Sequence, residues 1–186
     1  MGQYYRPILT NTKGNERAYN RNVDGEYTMA KLMEHSWWRN PFVGTITRKL
    51  YKNSMKVVWV GDYADDGYNV NELTSEELKR LCAKAWKGKG YGVKKNELYL
   101  DGLYLVNHTK KIYIDCDEYK ANATDKDGWC VHPIPLLTAI GNGLGGGDYR
   151  GVNVEEVGCW ANDLISVEDT IPDGYANELY MFKEEW

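Results

Sequence analysis

Leu103-Tyr104-Leu105-Val106-Asn107-His108-Thr109-Lys110-Lys111-Ile112-Tyr113-Ile114-Asp115 is two alternating runs, Leu103–Asn107 and Lys111–Asp115, around a polar break at His108-Thr109-Lys110. Alternation at period two puts successive side chains on opposite faces of a strand, and a short polar break between two such runs predicts a β-hairpin. A hairpin makes its strands antiparallel neighbours, so the sheet is expected to be mostly antiparallel.

Further strands are expected on either side of it. Tyr4 to Thr10 reads as an opening strand, turned at Asn11-Thr12-Lys13-Gly14-Asn15 and returning near Ala18-Tyr19. Val57-Val58-Trp59-Val60 has the composition of a buried strand. Trp129–Val131, Gly158–Trp160 and Leu164–Val167 are expected as strands, and the last ten residues as a docked edge.

Two helices announce themselves through their starts. Asn40 is placed as an N-cap with Pro41 at the first helical position, and Phe42, Ile46 and Leu50 follow on one face. Thr74 and Glu77 form a capping box, and Leu78, Leu81, Cys82, Ala85 and Trp86 keep the apolar stripe. A third, short helix is expected over Leu136–Ile140 after His132-Pro133-Ile134-Pro135. With no internal repeat and no linker-like run, residues 1–186 are expected to form a single α+β domain: a mostly antiparallel sheet with two or three packed helices.

Composition narrows the function. The chain has 186 residues, 42% hydrophobic and 27% charged, with 15 Tyr and 7 Trp against 2 Phe. Tyr and Trp pair an apolar body with a polar tip, which suits sheet faces and binding surfaces. No stretch reaches the roughly 18 to 20 apolar residues of a membrane span, and the N-terminus lacks a signal-peptide pattern, so a cytoplasmic protein without a membrane partner is expected. Gly2 begins a myristoylation pattern, but Arg6 stands where Ser or Thr is required. The net charge of −4 divides unevenly: residues 1–140 carry 21 Lys+Arg and 17 Asp+Glu, residues 141–186 carry 2 and 10. The acidic C-terminal part is expected to lie near the basic part. Lys79, Arg80, Lys84, Lys87, Lys89, Lys94 and Lys95, with Trp86 and Tyr91 among them, read first as a solvated helix face and loop, so no nucleic-acid partner is expected.

Few residues carry chemistry by spacing. Cys82, Cys116, Cys130 and Cys159 form no CxxC pair, and His35, His108 and His132 sit in unrelated contexts, so neither a metal nor a cofactor is expected. Asp62-Asp65-Asp66 and Asp125-Asp127-Gly128 lack the calcium-loop spacing. Cys130 and His132, two apart, would share a face on a strand and could make a nucleophile pair, though coincidence is the simpler account. Asp148, Tyr149, Arg150 and Asp163 are available as acid–base groups, but no catalytic residue is assigned.

The densest signal is Gly141-Asn142-Gly143-Leu144-Gly145-Gly146-Gly147-Asp148-Tyr149-Arg150-Gly151. Six glycines in eleven residues let backbone approach a ligand closely, and successive amides can cradle an anion. It matches G-x-G-x-x-G, but no Lys-Ser/Thr follows and it sits after a helix instead of a strand. Its bland reading is a flexible connection.

Met1-Gly2-Gln3-Tyr4-Tyr5, Leu105–Lys111, His132–Thr138 and Gly145–Gly151 together resemble an uncharacterised family of small bacterial and bacteriophage proteins, along nearly the whole chain. The resemblance implies a phage-type accessory factor that binds a host molecule, and it transfers no residue roles. On this basis the expected function is non-catalytic binding of a small anionic or nucleotide-like ligand, such as a host-defence signal. Gly145, Gly146, Gly147 and Arg150 would hold the anion; Tyr149, Trp37 or Trp59 would stack on a ring; Asp148 and His132 complete the candidate set. The alternatives are an inhibitor that binds a host protein through surface Tyr and Trp, and a nucleotide-directed hydrolase or transferase with Asp148 or His132 as acid–base. A homo-oligomer is compatible with each.

Overall fold

A computed structural model describes residues 2–22, 31–64, 73–88, 90–143 and 148–183. Within them the strands are β1 (Tyr5–Asn11), β2 (Glu16–Asn22), β3 (Met55–Gly61), β4 (Tyr91–Val93), β5 (Tyr104–Asn107), β6 (Ile112–Asp115), β7 (Ala139–Ile140), β8 (Leu164–Glu168) and β9 (Ala176–Asn177). The helices are α1 (Pro41–Leu50), α2 (Ser75–Cys82), α3 (Cys116–Ala123) and α4 (Pro133–Leu137).

The strands form one mixed sheet in the order β4-β2-β1-β3-β8-β5-β6-β9. Five neighbouring pairs are antiparallel; β2–β4, β3–β7 and β6–β9 are parallel. The expected hairpin is β5–β6, with Leu105 opposite Ile114 and Val106 opposite Tyr113. The fold is therefore α+β and mostly antiparallel as read, with parallel additions the sequence did not suggest.

β3 is the axis of the molecule. Val57 and Trp59 pack into the larger core with Tyr5 and Leu9 of β1, beside α1, α3 and α4. Val58 and Val60 face the other way, onto Ile8 and the stripe Leu78, Leu81, Cys82 and Ala85. Burial on both faces explains the unbroken apolar run, since an alternating strand would leave one face polar. β3 also changes partner along its length. Met55 and Lys56 pair antiparallel with β8, whereas Trp59 and Val60 pair parallel with β7.

The capping residues act as read. The Asn40 side chain accepts from the Phe42 and Val43 amides, and Thr74 and Glu77 close the capping box of α2. α1 is buried on most sides and not on one face alone, because residues 94–100 cover its outer side and the Leu98 amide donates to the Gly44 carbonyl. A Cβ on Gly44 would stand 3.1 Å from Glu97 Cβ, which accounts for a poor helix former inside this helix. The stripe after α2 continues through a π-helical turn, Ala83–Lys87.

Three expectations are corrected. Trp129–Val131 is no strand; Val131 makes an isolated bridge to Trp37. The third helix starts at Pro133, with His132 as its N-cap, and Ala139–Ile140 is strand. Gly158–Trp160 is a turn. α3 is an additional helix, beyond the three expected. The charge asymmetry is realised locally, in Lys52–Asp169 at 2.7 Å and Lys110–Asp163 at 2.5 Å, while Arg80 of the basic run turns to Glu16 of β2. Among the described residues, no helix is long and apolar enough to cross a membrane.

Candidate ligand-binding site

The residues flagged from sequence scatter. Trp59 is fully buried in β3, its ring 6.1 Å from Phe42 and edge-on to it, so it is a core residue and not a stacking platform. Trp37 is half-buried elsewhere, against Trp129 at 5.9 Å. Arg150 is exposed. Gly145, Gly146 and Gly147 lie outside the described residues, as do Asp65, Asp66 and Lys89.

His132 is also a core residue. It is fully buried, and its Nδ1 accepts from the Ile134 amide at 3.3 Å. An accepting Nδ1 leaves the hydrogen on Nε2, which faces Thr47 Oγ1 at 3.4 Å. The Thr47 hydroxyl donates to the Val43 carbonyl, so its lone pair is turned to the ring. Burial pushes the imidazole down to about 3, which keeps it neutral and unable to serve as an acid near neutral pH. Cys130 does not pair with it: both ring nitrogens are engaged, and burial pushes the thiol up to about 11. Asp163 is structural too, accepting from Asn107 Nδ2 at 2.7 Å and Lys110 Nζ at 2.5 Å.

Asp148 and Tyr149 do come to a cavity. It is about 350 Å³ and is lined by Tyr5, Leu32, Ala139, Gly141, Gly143, Asp148, Tyr149, Val154, Glu155 and Val157. The walls come from the start of β1, the chain leaving β7, and a 3₁₀ turn, Val154–Glu156. Three of them are held from behind. Tyr149 packs edge-on to Phe182 at 5.4 Å, and its hydroxyl shares one hydrogen between the carbonyls of Val152, at 2.6 Å, and Lys183, at 2.9 Å. A Cβ on Gly141 would lie 2.2 Å from the Tyr5 hydroxyl, so only glycine lets the chain pass there. The Gln3 Oε1 accepts from the Asn142 amide at 3.2 Å, and Gly61 leaves room for the Gln3 amide nitrogen, which a Cβ would approach to 2.5 Å.

The polar end of the cavity is a buried network. The Tyr5 hydroxyl lies 2.8 Å from Asp148 Oδ1 and 2.9 Å from Gln3 Oε1, and Asp148 is 5% exposed. Burial, and after it the Asp148 charge, raises the Tyr5 phenol above its ordinary range. The described lining residues include two carboxyl groups, Asp148 and Glu155, and no Lys, Arg or His. That balance does not favour the anion expected from the glycine run.

Two further concavities are lined by described residues. One of about 530 Å³ runs along β1, β2 and β4, with the polar lining Asn11, Asn15, Glu16 and Arg17. Another of about 260 Å³ lies among Trp37, Trp38, Trp129, Arg39 and Lys120. In the latter, Arg39 and Lys120 are both paired with Asp101. Among the described residues no three His, Cys, Asp or Glu side chains form a group able to hold a metal ion.

No family model matches the chain, and neither a curated protein nor a solved structure matches it.

Proposed function

We propose that this chain is a non-catalytic binding protein that takes a small molecule into the cavity beside Asp148. The observation that carries the reading is a concave space of about 350 Å³ with mainly apolar walls and a nearly buried carboxyl at one end. Pockets of this size with a few fixed polar groups are the usual form of a small-molecule site. Leu32, Ala139, Val154 and Val157 offer an apolar surface, and Asp148 and Glu155 offer acceptors. The ligand this fits is flat or branched and partly apolar, with hydrogen-bond donors at one end, as a nucleobase-type heterocycle has. A phosphate group is disfavoured by the same carboxyls. Capture of a host-made small molecule by a phage-type accessory protein is consistent with this chemistry.

Catalysis is the weaker reading because the described lining residues hold no nucleophile beside a base. A protein-binding role has one observation of its own: Trp37, Trp129 and Arg39 form a half-buried aromatic and cationic cleft, and such residues anchor protein interfaces.

The test is methyl NMR of Leu32, Val154 and Val157 during titration with small aromatic probes that are neutral, cationic or anionic. Binding at the cavity shifts these methyls for at least one probe, and Ala139→Leu, which fills the space, abolishes the shifts. Methyls that stay still with every probe refute the reading.

A further inference from the structure

We propose that the concavity of about 530 Å³ along β1, β2 and β4 is a second binding site, and that its ligand is an aromatic anion of nucleotide size, its acid group held by Arg17 and Lys49 and its ring laid against Tyr91. The site shares no described lining residue with the cavity beside Asp148 and goes beyond the binding role given to that cavity.

Two cations stand close together here. Arg17 lines the concavity from β2, and Lys49 reaches it from the last turn of α1, with its ammonium 5.0 Å from the Tyr19 ring centre. Among the described residues neither cation is within ion-pair distance of a carboxylate. Glu16 is the one carboxyl in the described lining, and it is engaged by Arg80, whose Nη1 meets its two oxygens at 2.8 and 2.6 Å. Burial, and after it the Arg17 charge, lowers the Lys49 ammonium from its ordinary value. Like charges near enough to oppose each other favour an anion beside them.

The rest of the lining suits the same ligand. Asn11 Oδ1 accepts from the Lys13 amide at 3.0 Å and the Asn15 amide at 2.9 Å, which fixes the orientation of the side chain. Its Nδ2 hydrogens are unengaged among the described residues, and an oxyanion needs such donors. Buried Leu9 and Tyr19 and half-buried Met55 supply apolar surface. Tyr91, the first residue of edge strand β4, is 48% exposed. Its ring lies 6.4 Å from Tyr19 and 5.4 Å from the Arg17 guanidinium. An exposed tyrosine ring beside cations offers a stacking face to a flat ligand.

Strand pairing brings these groups together. Leu9 stands opposite Arg17 in the β1–β2 ladder, Asn11 opposite Met55 in β1–β3, and Tyr19 opposite Tyr91 in β2–β4. Arg17 and Tyr19 are two apart on β2 and so share a face. Tyr19 and Leu9 belong to the core on the α1 side of the sheet, which is why a cation from α1 meets them. The volume is that of an ordinary small-molecule site. The described lining beside Asp148 holds two carboxyls and no cation, so an anion disfavoured there finds the opposite balance here.

The experiment uses the full chain with adenosine monophosphate, adenosine and inorganic phosphate as probes. NMR follows the Leu9 and Met55 methyls here and the Leu32 and Val157 methyls beside Asp148. The monophosphate is expected to move Leu9 and Met55, to leave Leu32 and Val157 still, and to bind about tenfold or more tightly than adenosine or phosphate. Arg17→Gln and Lys49→Gln should each weaken it about tenfold, and Tyr91→Ala about fivefold. Arg17 and Tyr91 are exposed, so their variants should keep the wild-type melting temperature. Equal affinity for monophosphate and adenosine, or no loss in Arg17→Gln, overturns the anion. Equal affinity for monophosphate and phosphate overturns the aromatic part. A short oligoadenylate that binds far more tightly than the monophosphate overturns the small-molecule class in favour of a single strand. Leu9 and Met55 methyls that stay still with every probe remove this site, and movement of Leu32 and Val157 alone would belong to the other cavity.

Discussion

Lowering pH should destabilise the folded chain through His132 in a calculable way. The ring's ordinary value is 6.5 and burial pushes it down to about 3 in the fold. A group with a depressed folded value binds fewer protons folded than unfolded, so its contribution is complete above about pH 6.5 and is lost as pH falls toward about 3. The whole difference corresponds to about 5 kcal/mol, at about 1.4 kcal/mol per unit. Between about pH 8 and about pH 5 the loss is about 2 kcal/mol. Carboxylates and His108, which burial also lowers, add their own pH dependence, so the measurement is a comparison. His132→Asn keeps a neutral N-cap acceptor for the Ile134 amide and cannot protonate. It gives up ring packing against Trp38, at 5.9 Å, by an amount that does not vary with pH. Urea unfolding at about pH 8 and about pH 5 should therefore show the wild type losing about 2 kcal/mol more than His132→Asn. Equal losses, or a His132 ring signal that titrates near its ordinary value, refute the assignment of this histidine to the core and reopen its acid–base role.

Three other outcomes follow from the geometry. Asn40→Ala removes the acceptor for two amides and should cost about 1 kcal/mol, lowering the melting temperature by about 3 °C in a scan followed by circular dichroism; an unchanged melting point shows the cap to be idle. Gly151→Ala would place a Cβ 2.3 Å from the Lys183 carbonyl and 2.7 Å from the Tyr149 hydroxyl, so a cost of about 1 to 3 kcal/mol is expected. Faster hydrogen exchange at the Val152 amide, which donates to that carbonyl at 3.0 Å, is its local signature, and unaltered exchange contradicts it. None of the four cysteines is in a disulfide, three of them are buried, and burial raises Cys116, Cys130 and Cys159, the last to about 12. A thiol reagent should label none of them quickly until the chain unfolds; rapid labelling of any one in native buffer refutes this.

Legibility followed the range of the interaction. α1 and α2 were readable because Asn40, Pro41, Thr74 and Glu77 act within a turn of themselves. The β5–β6 hairpin was readable for the same reason. α3 had its signal in Asp115, whose side chain accepts from the Asp117 and Glu118 amides, but the helix buries only Cys116, Tyr119 and Ala123 among polar neighbours, so no stripe announced it. β7 and β9 are two residues long and have no period to detect. At the site, the glycine run drew attention to Asp148 and Tyr149, which line the cavity. Tyr5 stands 143 residues away, and nothing near Gln3 or Tyr5 says that they will meet Asp148. His132 and Trp59 were misleading because chemistry-bearing side chains look alike in sequence whether they fill a core or line a cleft; burial separates them, and burial is a tertiary property.

The position of the cavity follows from β3. Where this strand exchanges β8 for β7, the new partner contributes only Ala139 and Ile140, and the chain then leaves the sheet at Gly141. Across the sheet, β1 begins at Tyr5, opposite Gly61 at the end of β3. The sheet thus stops on both sides of one corner, and the corner's backbone polar groups need partners. Gln3 meets this need by accepting from the Asn142 amide, and the Tyr5 hydroxyl joins Gln3 to Asp148. One network therefore closes the sheet corner and builds the polar end of the cavity. Replacing Tyr5 by Phe would sever both links at once while keeping the ring's packing. Faster exchange at the Asn142 amide is the expected signature of that variant, and unaltered exchange contradicts the network.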